Sequence, residues 1–338
     1  MRTDDFDYDL PPERIAQRPL RPRDHSRLMI LNRSSESIGH ARFDDLPTLL
    51  RSGDVLVLNE TRVIPARLKA RKLPGGGRVE VLLLKRLEER TWEALVGGKR
   101  LDVGRRLQIE GGPLAEIEAD LGGSRRRIRF AAPISPEIER LGAMPVPPYI
   151  KAPLAEPDEY QTVYARLPGS AAAPTAGLHF TEGLMDRLQA AGIGMARVVL
   201  HIGLDTFAPV DVEDPRQHII HSEWCQVTRA AAEQLRRARQ AGGRVVAVGT
   251  TAVRTLESAA RASGGELAAF EGQTDLFILP GFTFSAVDAM ITNFHLPRST
   301  LLMLVSAFAG RERILRAYDT AIREAYRFYS FGDAMLIE

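Results

Sequence analysis

A polar segment with one histidine precedes a predicted helix in the second half of the chain. Residues 174–181 read PTAGLHFT, which groups Thr175, His179 and Thr181 around a proline and a glycine. Backbone N–H groups at a helix N-terminus bind anions, and a histidine side chain exchanges protons near neutral pH. The segment therefore has the residue types for anion binding and acid–base chemistry. The alternative is an ordinary loop with a hydrogen-bonded histidine.

Three further short segments combine histidines with other polar side chains. They are residues 200–207 (LHIGLDTF) with His201, Asp205 and Thr206, residues 221–224 (HSEW) with His221 and Glu223, and residues 292–300 (TNFHLPRST) with Asn293 and His295. Ligands of α/β proteins usually bind beyond the carboxyl ends of strands. We therefore expect an enzyme whose active site is assembled from the C-terminal half, chiefly from residues 174–181 and 292–300.

The histidines do not have the spacing of a metal site. Five of the seven lie at positions 179, 201, 218, 221 and 295, and no pair has the helical i, i+4 spacing of a zinc-binding HExxH motif. Cys225 is the only cysteine, which excludes a disulfide framework and a cysteine-based zinc site. We predict no bound metal.

Two other segments follow predicted strands. Residues 249–254 (GTTAVR) open a helix after a strand, so Thr250, Thr251 and Arg254 are suited to a carboxylate, a hydroxyl or a phosphate. The segment matches neither GxGxxG nor a Walker loop, which argues against binding of NAD or a nucleoside triphosphate. Residues 59–67 (NETRVIPAR) place Glu60, Arg62 and Arg67 after another strand. Arginine there could bind phosphate, or could form a salt-bridged hinge.

Alternating strands and helices predict the scaffold that positions these segments. After residue 160, helices over 181–191, 230–241, 251–263 and 311–328 alternate with strands over 196–202, 244–248 and 274–279. This alternation, with the buried strand 53–58, favours an α/β domain with a largely parallel sheet covered on both faces.

Residues 66–150 have a different pattern. Short apolar stretches at 79–84, 91–96, 106–109, 114–119 and 126–130 are separated by glycine pairs, which is typical of a small antiparallel β-barrel. We expect a large mixed α/β domain over 1–65 plus 151–338, with this barrel inserted at 66–150. Residues 66–130 carry 16 lysines and arginines against 9 acidic residues, on a chain of net charge +2. Such a basic segment favours a polyanion as a partner, or is simply a solvated surface.

The composition limits the location of the protein. The acidic start MRTDDFDYDL has no apolar core of a signal peptide, and no apolar run reaches the roughly 20 residues that a membrane helix needs. We expect a cytoplasmic protein without a membrane partner.

The motifs, taken in order, are similar to those of one enzyme family. They are DFDYDLP (5–11), IAQRPL (15–20), GDVLVLNETRVIPARL (53–68), VEVLLL (79–84), MPVPPYI (144–150), YQTVYA (160–165), APTAGLHFT (173–181), HSEW (221–224), VGTTAVRTLE (248–257), TDLFILPG (274–281), ITNFHLPRSTLLMLVSAFAG (291–310) and FGDAMLI (331–337). This series, which runs from end to end, resembles the S-adenosylmethionine:tRNA ribosyltransferase-isomerases of queuosine biosynthesis. Glu60, Asp205 and Cys225 depart from residues common in that family.

The resemblance implies a fold and a reaction. The fold is a large α/β domain with a smaller β-barrel. The reaction transfers the ribosyl part of S-adenosylmethionine to 7-aminomethyl-7-deazaguanine at the wobble position of a tRNA with a GUN anticodon. The ribosyl is isomerised to an epoxycyclopentanediol, which gives epoxyqueuosine-tRNA, adenine and methionine. S-adenosylmethionine is then a co-substrate, no true cofactor is needed, and we expect a monomer.

The chemistry of a sulfonium substrate suggests roles for the candidate residues. The sulfonium acidifies the adjacent C5′ hydrogen, so His179 or His295 is expected as base or acid, with Glu60 as a further catalytic candidate. Residues 249–251 and Arg254 are expected at the methionine end or the ribose, and Arg62 and Arg67 along the tRNA backbone. The substrate-binding candidates are Arg62, Arg67, Thr175, His201, His221, Glu223, Thr250, Thr251, Arg254, Asp275 and Asn293.

Two other classes of protein fit parts of the sequence. An S-adenosylmethionine methyltransferase acting on RNA would need a glycine-rich loop after its first strand, where this chain has NETR. A non-catalytic RNA-binding module would not need so many polar turns at strand ends, and no RRM or KH signature is present. The reaction products distinguish the three classes.

Overall fold

The computed structural model describes residues 1–35, 37–203 and 209–338. Chain contacts divide the protein into two compact units. The large unit comprises Met1–Thr61, Pro148–Leu167 and Ala173–Glu338, and the small unit comprises Arg62–Pro147 and Pro168–Ala172.

Eighteen strands are present in the described ranges. In chain order they are β1 (Arg27–Leu31), β2 (Ile38–Arg42), β3 (Val55–Asn59), β4 (Thr61–Val63), β5 (Arg67–Leu73), β6 (Arg78–Arg86), β7 (Thr91–Gly97), β8 (Arg106–Ile109), β9 (Leu114–Asp120), β10 (Arg125–Phe130), β11 (Gly142–Ala143), β12 (Leu167–Ser170), β13 (Gly194–Leu200), β14 (Glu223–Val227), β15 (Val245–Val248), β16 (Phe270–Thr274), β17 (Ala289–Asn293) and β18 (Ala334–Ile337).

The same ranges contain seven α-helices. They are α1 (Leu46–Leu49), α2 (Ile138–Leu141), α3 (Glu182–Ala190), α4 (Arg229–Gln240), α5 (Thr250–Ala262), α6 (Thr300–Ala309) and α7 (Arg311–Arg323). None of the helices in the described ranges is long and apolar enough to cross a membrane.

The large unit is built on a nine-stranded mixed sheet in the order β16-β14-β13-β3-β15-β17-β18-β1-β2. Its four central strands, β13, β3, β15 and β17, are parallel. Alternate side chains of β3 enter different cores: Val55 and Val57 pack on the face covered by α4 to α7, and Leu56 and Leu58 on the face covered by α1 and α3. Because both faces are covered, β15 and the first four residues of β3 are apolar without interruption.

The small unit contains a closed antiparallel barrel. Strands β5, β6, β7, β10, β9 and β8 pair in that order, and a pairing between β5 and β8 closes the ring of six. β11 extends the sheet beside β5, and β4 and β12 form a separate two-stranded sheet. The predicted fold class, α/β with a small antiparallel barrel, is confirmed.

Two predicted elements differ from those observed. Residues 275–279 are not a strand, because β16 ends at Thr274. The C-terminal helix ends at Arg323 and not at residue 328, because Ala325 adopts a positive φ of 59° that an α-helix does not contain.

Candidate active site

The carboxyl ends of the central strands lie at one edge of the large sheet. Asn59 ends β3 and Asn293 ends β17, while His201 and Gly249 directly follow β13 and β15. β14 runs antiparallel to β13, so its first residue, Glu223, lies at the same edge. The polar segments that were far apart in sequence therefore converge here, as expected for parallel strands.

Asn59 links three elements at this edge. Its fully buried side chain donates from Nδ2 to the Leu200 carbonyl (3.0 Å) and to Thr251 Oγ1 (3.2 Å). Its Oδ1 accepts from the N–H groups of Leu200 (3.0 Å) and Thr61 (3.2 Å). These bonds fix the end of β3 to β13 and to the start of α5. Sequence reasoning did not single out Asn59, although a polar residue ending an otherwise apolar strand is a usable signal.

His179 and Asn293 are hydrogen-bonded to each other. Asn293 Nδ2 lies 3.2 Å from His179 Nε2, and Thr175 Oγ1 donates to Asn293 Oδ1 over 2.8 Å. The other ring nitrogen of His179, Nδ1, lies 2.7 Å from Ser26 Oγ, and Phe43 stacks on the ring at 4.9 Å. Burial lowers the pKa of His179 to about 3, so this imidazole is neutral at physiological pH. Both of its nitrogens are engaged by protein groups.

The turn that carries Thr175 and His179 depends on a glycine. Thr175–His179 is one 3-10 helix, and Gly177 lies at its centre against a buried tyrosine. A Cβ atom at Gly177 would come within 1.9 Å of Tyr164 Oη. A side chain at this position would therefore displace the turn from the sheet edge.

His295 is held by its backbone as well as by its ring. Its N–H donates to Tyr318 Oη (2.8 Å), and its carbonyl accepts from the Tyr8 hydroxyl. Its ring Nε2 lies 2.8 Å from Thr292 Oγ1. Burial lowers the pKa of His295 to about 3, so this imidazole is also neutral. Neither tyrosine was identified from the sequence, because contacts between the first segment, the last helix and residue 295 have no local pattern.

A narrow cleft lies beside Thr175, Asn293 and His295. It is lined by Ala173, Pro174, Thr175, Ala176, Ile202, Gly249, Thr250, Thr251, Thr292, Asn293, His295 and Leu301. Helix α5 begins at this cleft after Gly249, which has a φ of +86° and provides no side-chain cap. The N–H groups of the first turn of a helix lack intrahelical partners, so this end of α5 is suited to an anionic group.

Arg254 and Glu223 form a buried ion pair beside the cleft. Arg254 Nη1 contacts Glu223 Oε2, and the two side chains are 5% and 8% exposed. Glu223 Oε1 also accepts from the Gly203 N–H (2.8 Å), and Arg254 Nε donates to the Leu276 carbonyl (3.1 Å). The predicted substrate-binding residues Arg254 and Glu223 thus bind each other and hold the residues that follow β13.

His201 lies in a separate pair of contacts at the same edge. Its Nδ1 is 2.8 Å from Thr61 Oγ1, and its ring stacks on Trp224 with centroids 5.2 Å apart. Burial lowers its pKa. Two other predicted residues, His221 and Asp275, are exposed.

The remaining predicted residues are distributed over both units. Glu60 follows β3 and forms an ion pair with Arg197 on β13 (3.4 Å). Arg62 and Arg67 belong to the small unit, where Arg62 is exposed and Arg67 donates to the Val146 carbonyl (3.2 Å). Asp205 and Thr206 lie outside the described residues. Within the described ranges no group of three or more histidine, cysteine, aspartate or glutamate residues is arranged to hold a metal ion.

The mixed sheet, the closed barrel and the polar cleft define a two-unit α/β protein. A family model described as "Queuosine biosynthesis protein" matches residues 3–337. The chain is 56% identical to the S-adenosylmethionine:tRNA ribosyltransferase-isomerases of Symbiobacterium thermophilum and Moorella thermoacetica, over the full length of each. Its fold is similar to the crystal structure of S-adenosylmethionine tRNA ribosyltransferase from Thermotoga maritima, with a TM-score of 0.59 and 42% sequence identity. The match covers 99% of this chain and 100% of that one. The chain therefore belongs to the queuosine biosynthesis protein family, and the resemblance drawn from its motifs is confirmed.

Proposed function

We propose that this protein transfers and isomerises the ribosyl moiety of S-adenosylmethionine onto the 7-aminomethyl-7-deazaguanine wobble base of tRNA. The products are epoxyqueuosine-tRNA, adenine and methionine. Full-length identity to enzymes named S-adenosylmethionine:tRNA ribosyltransferase-isomerase supports the reaction class. The single structural observation that carries the proposal is a cleft that joins a neutral histidine to an uncapped helix N-terminus.

His295 is the proposed base. A neutral imidazole can accept the C5′ proton that the adjacent sulfonium acidifies. When Nε2–H donates to Thr292 Oγ1, the lone pair is on Nδ1, which has no hydrogen-bond partner among the residues that the structure describes. His179 has both ring nitrogens bonded to Asn293 and Ser26. We therefore propose that His179 positions Asn293 and does not itself transfer a proton.

The start of α5 is the proposed site for the methionine carboxylate. Thr250 and Thr251 line the cleft, and Gly249 leaves the first-turn N–H groups without a side-chain cap. A carboxylate there accepts hydrogen bonds from these groups and is stabilised by the helix dipole. Arg254 acts indirectly in this proposal, because its guanidinium pairs with Glu223. Glu60 stays a catalytic candidate, and His201 stays a substrate-binding candidate.

The barrel is the proposed surface for the tRNA backbone. Of the 16 basic residues at 66–130, five form ion pairs with acidic residues: Arg67, Arg71, Arg125, Arg126 and Arg129. The others include Lys85 and Arg127, which lie directly opposite Glu93 from the two strands beside β7. We call Glu93, Lys85, Arg125 and Arg127 the Glu93 row. Because Arg125 already pairs with Glu93, Lys85 and Arg127 give this row an excess of positive charge. Arg62 and Arg67 are further candidates for contacts to the tRNA backbone. We also propose that the substrate tRNA has a GUN anticodon and that the protein is a monomer.

Product analysis tests the proposed reaction. The purified protein is incubated with S-adenosylmethionine and tRNA that carries the 7-aminomethyl-7-deazaguanine base. We expect adenine and methionine in equal amounts, together with a tRNA that gains the epoxycyclopentanediol. Release of S-adenosylhomocysteine would instead indicate the methyltransferase, and tRNA binding without turnover would indicate the binding module.

Variants of His295 and His179 test the division of roles. We expect His295→Ala to reduce kcat by at least about 100-fold, the usual contribution of a general base. His179→Gln should retain more activity, because a glutamine can still bond to Asn293. If both variants turn over at near-normal rates, the assignment of proton transfer to this pair is wrong.

A further inference from the structure

The carbonyl of Tyr329 determines which way the Asn293 amide points. Tyr329 is a non-glycine residue in the left-handed region (φ +70°), and its carbonyl oxygen lies 3.3 Å from Asn293 Nδ2. A carbonyl can only accept a hydrogen bond, so the NH₂ group of Asn293 must face it. The reverse amide orientation would place two acceptors against each other inside a buried site, which is costly.

This orientation sets the direction of every bond in the network. Because Nδ2 also faces His179, His179 Nε2 must accept, and the ring proton lies on Nδ1 and is donated to Ser26 Oγ. On the other side, Asn293 Oδ1 can only accept, so Thr175 must donate its single hydroxyl proton to it over 2.8 Å. The Thr175 hydroxyl has no second proton to offer.

From this we infer that Thr175 presents only a hydrogen-bond acceptor to the cleft and selects a ligand group that donates, a hydroxyl or an ammonium. Thr175 lines the cleft and is half-buried, so its remaining lone pairs are the part of the hydroxyl available to a ligand. A carboxylate or carbonyl oxygen at this wall would meet oxygen lone pairs without a proton between them. The specificity of this wall thus follows from the backbone at Tyr329, which is outside the cleft lining.

The start of α5 also lines the cleft, and it presents hydrogen-bond donors where Thr175 presents an acceptor. The start of α5 offers N–H donors, and a Cβ atom at Gly249 would lie only 3.5 Å from Ala176 Cβ, so the two walls are close together. A ligand that bridges them needs a donor on the Thr175 side and an acceptor on the α5 side. In S-adenosylmethionine the candidate donors are the α-ammonium, the two ribose hydroxyls and the adenine 6-amino group, and this identification rests on the proposed function.

Calorimetry with S-adenosylmethionine and its analogues tests whether Thr175 accepts a hydrogen bond from the ligand. The analogues lack the α-amino group, the 2′-hydroxyl, the 3′-hydroxyl, the adenine 6-amino group or the carboxylate, and each is titrated into the wild type, Thr175→Val and Thr175→Ser. We expect one donor-lacking analogue to bind the wild type about 10-fold more weakly than S-adenosylmethionine, the size of one hydrogen bond. The same analogue and S-adenosylmethionine should bind Thr175→Val equally, and Thr175→Ser should behave as the wild type. Equal losses in wild type and Thr175→Val for every donor, or coupling of Thr175 to the carboxylate, would overturn the inference.

A second measurement needs no ligand and no substitution. Side-chain ¹⁵N NMR reports which nitrogen of His179 carries the proton, and the network requires Nδ1–H with an unprotonated Nε2. A protonated Nε2 would mean that the network runs in reverse, and the inference would fail. If the wild type does not bind S-adenosylmethionine at all, the proposed function fails, while the His179 spectrum still decides the polarity of the network.

Discussion

Burial keeps both His179 and His295 neutral. Desolvation is the first cause of the lowered pKa at His179 and the only one at His295. A neutral imidazole beside a sulfonium avoids repulsion between two positive charges. His295, which lines the cleft, can therefore lie next to a cationic substrate without first losing a proton.

The lowered pKa values predict that stability falls in mild acid. The unfolded chain binds protons at histidine as the pH drops below about 6.5, whereas the folded chain resists this down to about pH 3. Above the unfolded pKa both histidines are neutral in either state, and the free energy of unfolding is not reduced by them. As the pH falls from about 6.5 towards 3, protonation favours the unfolded chain and the free energy of unfolding decreases. For each buried histidine, we expect the free energy of unfolding to fall by about 1 kcal/mol per pH unit in this window. Urea unfolding at several pH values measures the loss.

The matched comparison for this prediction uses an exposed histidine. His179→Gln should make the free energy of unfolding less dependent on pH between about 6.5 and 5. His25→Gln replaces a histidine whose side chain is 48% exposed and is the control for the loss of a buried imidazole. An identical pH dependence in wild type and His179→Gln would contradict the prediction.

At the scale of elements, α5 connects the cleft to the interior of the large unit. Its first residues line the cleft, and one turn later Arg254 reaches Glu223 on β14. The same glutamate holds the Gly203 N–H, so one ion pair anchors three segments. Movement of α5 would therefore alter both the cleft and the chain after β13.

Glu223→Gln is expected to destabilise the large unit. The substitution leaves the Arg254 charge buried without a counter-charge, which typically costs about 3 to 5 kcal/mol. Glu271→Gln on the adjacent strand β16 is the control, because Glu271 is exposed and contacts Gln226 only at the surface. Denaturant midpoints compare the two variants. A loss below about 1 kcal/mol for Glu223→Gln would mean that Arg254 finds other compensation.

The Glu93 row on the barrel predicts a measurable salt effect. Replacing Lys85 and Arg127 with glutamine should weaken tRNA binding and lower the slope of log affinity against log salt by about two, since each cation lost removes about one released counterion. The control is the double variant Arg129→Gln/Glu118→Gln, which removes an ion pair and leaves the net charge unchanged. Filter binding of tRNA over a range of salt concentrations gives both slopes. Equal slopes in wild type and Lys85→Gln/Arg127→Gln would exclude this row as a tRNA contact.

Local pattern predicted many elements because their signals are local. The helix over 181–191 is observed as α3 with Thr181 as its cap, whose hydroxyl accepts from the Leu184 N–H. The predicted strand over 274–279 was wrong because β16 (FEGQT) is a polar edge strand held by backbone pairing to β14, and polar edge strands lack an apolar signature. Strand β5 was missed although its first five residues, RLKAR, alternate between basic and apolar.

The candidate site was predictable only in part. The polar turns at 174–181, 249–254 and 292–300 were identified because they follow or precede elements with clear periodicity. Ser26, Tyr8 and Tyr318 were not, since their contacts to His179 and His295 depend on which strands become neighbours. The ion pair between Glu223 and Arg254, 31 positions apart, likewise has no sequence signal.

At the scale of the whole molecule, the two ends of the strands in the large sheet differ: the polar cleft lies at one end, and an ion-pair network lies at the other. At the edge opposite the cleft, Asp54 at the start of β3 accepts from the Arg244 side chain (2.7 Å) and from the Arg51 N–H (2.9 Å). Arg244 also pairs with Glu338 after β18 (3.0 Å). Burial raises the pKa of Asp54, but the hydrogen bonds from Arg244 and Arg51 outweigh it, so the net pKa is lowered.

Asp54→Asn should therefore reduce stability without changing catalysis. The Asp54 contribution is present above its unfolded pKa of about 4 and is lost as the pH falls through the lower folded value. At neutral pH we expect a loss of about 3 kcal/mol, as for one partner removed from a buried ion pair. The difference between wild type and variant should shrink below about pH 4. Denaturant unfolding at both pH values, with kcat at neutral pH, measures this; a large fall in kcat would show that the two edges are coupled.

The order of strands in the sheet has a consequence for synthesis on the ribosome. β3 (Val55–Asn59) is an apolar central strand, but its two neighbours, β13 and β15, are made about 140 and 190 residues later. The six barrel strands lie between them in sequence and pair mostly with near neighbours. The barrel can therefore form while β3 is still unpaired and its apolar faces are open to other chains. Chaperone capture of the nascent protein is expected to be strongest in this interval, since unpaired apolar strands aggregate.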